Sequence, residues 1–136
     1  MDGYQIINNT FFIQSMIGKG SFCELFIGRD LSEVSPESSL FCAIKIQTSN
    51  IESSVVKYEA DILKALSGLE TVPHYIDHGR HEGAEYLIME LLGGEDMSKL
   101  RERARRQCGV RLVPLPITIH CMKQMLLCLK DVHSRG

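Results

Sequence analysis

The sequence lacks the features of membrane-spanning, secreted and nucleic-acid-binding proteins. None of its apolar runs approaches the roughly 20 residues that are needed to cross a bilayer. Its first five residues contain neither the basic nor the apolar region of a signal peptide. The net charge of -2 gives no bulk attraction to nucleic acid or to an anionic membrane surface. We therefore expect neither nucleic acid nor a membrane among its partners.

The five cysteines do not form a recognisable framework. Their number is odd and none lies in a C-x-x-C pair, whereas disulfide and zinc frameworks use paired spacings. His74, His78 and His81 have a loose metal-like spacing, but no cysteine or carboxylate completes a site. We predict reduced thiols in an intracellular protein, cytoplasmic or nuclear, and no metal site.

The apolar pattern predicts an α+β fold. With 136 residues, of which 44% are hydrophobic and 24% charged, the chain is long enough for one globular domain with a core. Alternation of apolar and polar residues predicts five strands, over 11–18, 23–30, 40–47, 72–77 and 85–92. Helical spacing predicts three helices, over 53–66, 97–107 and 117–134. A meander of strands crossed by one helix predicts a five-stranded antiparallel sheet.

A glycine-rich turn, Gly18-Lys19-Gly20-Ser21, joins the first two predicted strands. Glycine lets backbone amides approach phosphate oxygens without obstruction by a side chain. Glycine is also common in turns for steric reasons alone, so the turn by itself does not establish a phosphate site. It is not a P-loop, because no Gly-Lys-Ser/Thr follows and the next element is a strand rather than a helix.

We predict an ion pair between Lys45 and Glu59, because each of them needs a partner of opposite charge. Lys45 lies within the third strand, on the same face as Ala43, with apolar residues on both sides. A lysine there needs an anion, unless it extends from an edge strand into water. Glu59 has apolar helix neighbours three and four positions away on both sides, at Val55, Val56, Ile62 and Leu63. Unless the helix is misphased and exposes Glu59, the two side chains form a buried ion pair.

These residues resemble the ATP-binding half of a protein kinase. The stretch Gly18-Lys19-Gly20-Ser21-Phe22-Cys23-Glu24-Leu25 is similar to the kinase glycine loop, and Ala43-Ile44-Lys45 is similar to the strand that carries the kinase lysine. Cys23 stands where the kinase pattern has its third glycine. A side chain at that position stiffens the loop or crowds the phosphates.

The finer resemblance is to the casein kinase I superfamily, with the tau-tubulin kinase branch as a candidate within it. It is carried by the segments 17–22, 58–63, 72–76 and 86–93, and by Val132-His133-Ser134. The resemblance implies that about 10–92 form the N-terminal lobe and hinge of a kinase domain, and that 93–136 begin the C-terminal lobe.

The resemblance also implies a set of site residues. Lys45 and Glu59 take the catalytic positions, and Met89 guards the back of the adenine pocket, although filling of the core is the common alternative for a methionine. The Glu90 carbonyl and the Leu92 amide bind the adenine edge. The remaining nucleotide-binding positions are Ile17, Gly18, Lys19, Gly20, Ser21, Phe22, Leu25 and Ala43.

The implied reaction is transfer of the ATP γ-phosphoryl group to a Ser or Thr hydroxyl of a protein substrate. Family aspartates and an asparagine that orient the hydroxyl and hold Mg would lie after Gly136, so we expect Mg only in the complete kinase and no catalysis by this chain alone. Two alternatives are a pseudokinase, which Cys23 suggests, and a short product that binds nucleotide or competes for a kinase's partners.

Overall fold

The computed structural model describes residues 6–32, 41–48, 54–109 and 112–136. The chain forms two compact units, the first ending at Leu92 and the second starting at Gly93. The first unit contains strands β1 (Ile6–Ile7), β2 (Phe11–Lys19), β3 (Cys23–Asp30), β4 (Phe41–Gln47), β5 (Tyr75–His81) and β6 (Ala84–Glu90), with helix α1 (Val55–Ala65) between β4 and β5. The second unit contains helices α2 (Met97–Cys108) and α3 (Leu115–His133).

The first unit is a single antiparallel sheet with the strand order β1-β2-β3-β4-β6-β5. Helix α1 packs against β4, β5 and β6. The predicted α+β class is confirmed, but the sheet has six strands within the described residues where five were predicted. The additional strand, β1, is only two residues long, which is too short to show the alternation that identifies strands in a sequence.

The two faces of the sheet bury different clusters. One face holds a core of Ile7, Phe11, Cys42, Ile44, Ile46, Tyr86 and Ile88. The other face, covered by α1, holds a second cluster of Cys23, Val56, Ala60, Leu63 and Leu87. The predicted alternation along β4 is confirmed for Cys42, Ile44 and Ile46. Leu40, the first residue of the predicted third strand, lies outside the described residues.

Gly28 on β3 is required by close packing within the first core. A Cβ at this position would lie 2.1 Å from Ile44 Cδ1 and 3.2 Å from Cys42 Sγ. Real Cβ atoms do not approach other heavy atoms that closely in a packed interior, so a side chain here would displace Ile44. Gly28 therefore allows β3 and β4 to share this part of the core.

Helix α1 begins after Ser54, whose hydroxyl accepts a hydrogen bond of 3.0 Å from the Lys57 amide, a common N-cap interaction. Its buried residues are Val56, Ala60 and Leu63, which follow the i, i+4, i+7 spacing of one helix face. The predicted apolar face was wrong in phase, because Val55 and Ile62 are exposed. Glu59 therefore lies at the edge of the buried face. Ser53, the predicted first residue, lies outside the described residues.

The second unit consists of two helices with different surfaces. Helix α2 is polar and is followed by its C-cap residue Gly109, whose φ of 65° places it in the left-handed region that favours glycine. Helix α3 has Pro116 in its first turn, where a missing N–H has no cost. None of the residues of α3 is buried. No helix within the described ranges combines the length and the apolar character that crossing a bilayer requires.

Candidate functional site

The register of the sheet brings five of the predicted site residues onto the face covered by α1. Gly18 on β2 is opposite Leu25 on β3, and Leu25 is in turn opposite Lys45 on β4. Two residues before Lys45 on β4, Ala43 is opposite Met89 on β6. Directly opposed residues of antiparallel strands point to the same face. Positions that are up to 71 residues apart in sequence are therefore neighbours across three strand pairs.

Lys45 and Glu59 form the predicted ion pair. The Lys45 Nζ atom donates a hydrogen bond of 2.5 Å to Glu59 Oε2. Their side chains are 26% and 33% exposed, so the expectation that the pair is buried was wrong. Because Glu59 lies at the edge of the buried face of α1, water reaches both groups. The ammonium group is held in place and remains accessible to a further anion.

The glycine turn between β2 and β3 does not need glycine for its own backbone. Neither Gly18 nor Gly20 has a positive φ. A Cβ added at Gly18 would lie 3.6 Å from Leu25 Cβ, and one added at Gly20 would lie 3.5 Å from the Cys23 carbonyl oxygen. These are ordinary van der Waals separations. Steric need within the turn, the alternative explanation for these glycines, is therefore disfavoured, because a Cβ would fit at either position.

An ion pair that the sequence analysis missed closes the base of this turn. Lys19 Nζ donates a hydrogen bond of 2.8 Å to Glu24 Oε1, and the Glu24 side chain is only 9% exposed. The two residues are directly opposed in the β2–β3 pair. Residues of opposite charge on either side of the glycine turn form a sequence pattern from which this ion pair could have been predicted. The Lys19 ammonium is paired with the Glu24 carboxylate. The assignment of Lys19 to nucleotide binding stays a prediction.

Cys23 links the end of the glycine turn to α1. The Gly20 amide donates a hydrogen bond of 2.8 Å to the Cys23 carbonyl, while the Cys23 side chain packs with Val56, Ala60 and Leu63. Burial raises the pKa of this thiol, with the Lys45 charge lowering it and the Glu59 charge raising it by smaller amounts. The side chain at the third glycine position is thus part of the core beneath α1.

The end of β6 contains the residues predicted to bind the adenine edge. Met89 is half-buried and packs against the cluster beneath α1, so filling of the core remains an alternative for it. Glu90 makes three hydrogen bonds with His74, which the sequence analysis did not predict. Leu92 is 61% exposed. Among the described residues no group of three or more His, Cys, Asp or Glu side chains is arranged to hold a metal ion.

Ile17 and Phe22 flank the glycine turn and are exposed, as is Ser21 within the turn. The Phe22 carbonyl accepts a hydrogen bond of 2.9 Å from the Thr48 amide, which ties the turn to the end of β4. All thirteen predicted site positions lie in the first unit, between Ile17 and Leu92. Their assignment to nucleotide binding or catalysis stays a prediction.

Comparison with known proteins supports the resemblance to kinases. A Dictyostelium discoideum protein named as a probable serine/threonine-protein kinase is 32% identical over 131 residues, which are 96% of this chain and 24% of that protein. The serine/threonine-protein kinase spe-6 of Caenorhabditis elegans is 34% identical over 82 residues, 60% of this chain and 20% of that protein. Casein kinase I homolog 3 of Schizosaccharomyces pombe is 28% identical over 132 residues, 96% of this chain and 27% of that protein.

These relatives confirm the predicted resemblance to serine/threonine kinases that include casein kinase I. The tau-tubulin kinase branch stays a prediction. No protein-family model matches the chain. The chain spans between 20% and 27% of the length of these curated relatives.

Proposed function

We propose that this chain, a homologue of serine/threonine protein kinases, is the ATP-binding part of a kinase that transfers the γ-phosphoryl group of ATP to protein hydroxyl groups. The proposal rests on the Lys45–Glu59 ion pair, because Lys45 lies on the same face of the sheet as Gly18 in the glycine turn. Gly18 is paired across the sheet with Leu25, and Leu25 is paired with Lys45. A phosphate-sized ligand over that face would meet both the open turn and a fixed cation.

Each group has a distinct role in holding the nucleotide. The glycine turn lets its backbone approach the phosphate oxygens, because Gly18 and Gly20 carry no side chain of their own. Lys45 supplies positive charge to the phosphates, and Glu59 orients the Lys45 ammonium. The Glu90 carbonyl and the Leu92 amide offer an acceptor and a donor to the adenine edge. We assign no magnesium ligand to the described residues.

Titration calorimetry of the 136-residue chain with ATP tests the proposal. We expect weak binding that magnesium strengthens little, because the proposed contacts come from the turn, Lys45 and the end of β6. Lys45→Met should weaken ATP binding, whereas Lys57→Met, a change of the same kind on the exposed side of α1, should not. Absence of ATP binding by the unmodified chain would overturn the proposal. Strong magnesium-dependent binding would show that the site has a metal ligand outside this assignment.

A second candidate function is a catalytically inactive nucleotide- or partner-binding protein. The observation that favours it is Cys23, which occupies the third glycine position and is built into the core beneath α1. Incubation with radiolabelled ATP and a mixed Ser/Thr peptide library tests whether the 136-residue chain transfers phosphate on its own. We expect no transfer of label by the 136-residue chain. Transfer above background would show that this chain alone is an active kinase.

A further inference from the structure

We infer that His74 is a positioning residue for the adenine-binding segment, residues 90–92, and that it acts through Glu90. The inference rests on the proposed function, which assigns the Glu90 carbonyl to the adenine edge. His74 itself has no assigned contact with the nucleotide. Its role would be to hold the segment in one conformation before the nucleotide arrives.

Three hydrogen bonds connect these two residues. The Glu90 amide donates to the His74 carbonyl over 2.8 Å. The His74 amide donates to Glu90 Oε2 over 3.0 Å, and His74 Nδ1 lies 2.7 Å from the same oxygen. Main chain and side chain of Glu90 are thus both attached to one residue. Such a double attachment fixes the backbone of Glu90 more firmly than a single ladder hydrogen bond does.

The chemistry of the pair determines which group donates. An ionised carboxylate has no proton to give, so the facing Nδ1 atom carries the hydrogen in either protonation state of the imidazole. A glutamate is ionised at neutral pH, and the hydrogen bonds from the His74 amide and ring lower the pKa of Glu90 further. Charge-assisted hydrogen bonds of this kind are stronger than neutral ones.

The contact lies at the end of the β5–β6 ladder, on the side of Glu90 away from its β4 partner Cys42. His74 immediately precedes β5, whose first residue, Tyr75, is opposite Met89. Glu90 is the last residue of β6, and the exposed Leu92 follows it. The His74–Glu90 contact therefore extends the attachment of β6 one residue beyond the β5–β6 ladder. Ordering a segment before binding removes that entropic cost from the binding free energy.

Calorimetric titration with adenosine, ATP and inorganic tripolyphosphate tests the inference on the 136-residue chain. His74→Ala should weaken adenosine and ATP binding by the same factor, about three- to tenfold, because the ordering cost returns. Tripolyphosphate binding should not change, since it does not use the adenine segment. His74→Asn should bind like the unmodified chain, because an asparagine amide can donate from the position of Nδ1. His120→Ala, an exposed histidine on α3, is the matched control.

Four results would overturn the inference. The first is adenosine binding by His74→Ala that equals that of the unmodified chain. The second is an equal loss of adenosine and tripolyphosphate binding, which would indicate general damage to the unit. The third is a loss in His74→Asn as large as in His74→Ala. If His74→Ala does not fold by circular dichroism, Glu90→Ala, which removes the acceptor oxygens but keeps the backbone carbonyl, takes its place, and an unchanged adenosine affinity in that variant is the fourth.

The unmodified chain separates this inference from the proposed function. If it binds neither ATP nor adenosine, the proposed function fails and the inference fails with it. If it binds both and only the His74 variants behave contrary to expectation, the inference fails and the proposed function stands.

Discussion

Lys45 on β4 and Glu59 on α1 are joined by an ion pair of 2.5 Å between Nζ and Oε2. This pair connects the sheet to α1, which covers this face, and it does so with both groups still partly in contact with water. A fully buried pair would be chiefly structural, and breaking it would be costly. The half-buried position instead leaves the Lys45 charge available to a ligand.

Lys45→Met should affect ligand binding more than folding. A partly exposed ion pair contributes about 1 kcal/mol or less to the free energy of unfolding, so the variant should remain folded. Its affinity for ATP should fall by tenfold or more, about 1.4 kcal/mol, because a direct phosphate contact is lost. Denaturant unfolding and calorimetry of the same preparations measure both quantities. A large loss of stability without a loss of ATP affinity would show that the pair is structural.

The cysteines should differ in their rates of alkylation. Burial raises the pKa of the Cys42 thiol to about 11 and also raises that of Cys23, whereas Cys108 is exposed. Only the thiolate reacts, and its fraction grows as the pH rises toward the pKa. At pH 8, iodoacetamide should therefore label Cys108 first, and Cys42 and Cys23 only after unfolding. Early labelling of Cys23 would contradict its position beneath α1.

Helix α3 should make the chain self-associate. None of its residues is buried, and its exposed apolar residues include Ile119, Met122, Met125, Leu126 and Leu129. Exposed apolar surface of this kind favours association. Light scattering should show a concentration-dependent mass for the chain, reduced in the variant with Met122→Lys and Leu126→Lys. Lys123→Arg, which keeps the charge, is the control. A concentration-independent monomer mass for the unmodified chain would contradict the prediction.

Most of the strands and the central ion pair could be predicted from the sequence because both depend on strong local patterns, whereas the order β4-β6-β5 departs from the predicted meander. The alternation along β4 separates Ile44 from Lys45, and the spacing of α1 identifies Glu59 as an acidic residue near an apolar face. The exact phase of α1 could not be predicted, because helix packing selected Val56, Ala60 and Leu63 over the equally apolar Val55 and Ile62.

The His74–Glu90 contact could not be predicted because it depends on the tertiary arrangement. The predicted strand over 72–77 placed His74 within a ladder, whereas β5 starts at Tyr75. Pro73 has no amide hydrogen to contribute to a ladder, so the chain joins the sheet later and His74 is free to turn to Glu90. The pairing of residues 16 positions apart is set by the β5–β6 hairpin, not by a local pattern.

Gly28→Ala tests the close packing between β3 and β4, and its loss of stability is a reference for variants of the glycine turn. Because an added Cβ would overlap Ile44 Cδ1 at 2.1 Å, this variant should lose about 1–3 kcal/mol of unfolding free energy. Its measurement by denaturant unfolding should show a lower midpoint with an unchanged slope. An unchanged midpoint would mean that β3 and β4 can separate locally without cost.

The most direct test of the account is the ATP affinity of Gly20→Ala, measured together with its unfolding free energy. An added Cβ at Gly20 has room in the folded turn, so stability should be unchanged or should rise by about 0.4–1 kcal/mol. The account predicts that ATP affinity nevertheless falls about tenfold, or about 1.4 kcal/mol, because the methyl group occupies the space that the phosphates need. If Gly20→Ala binds ATP as tightly as the unmodified chain, the glycine turn does not hold the nucleotide, and the central claim is wrong.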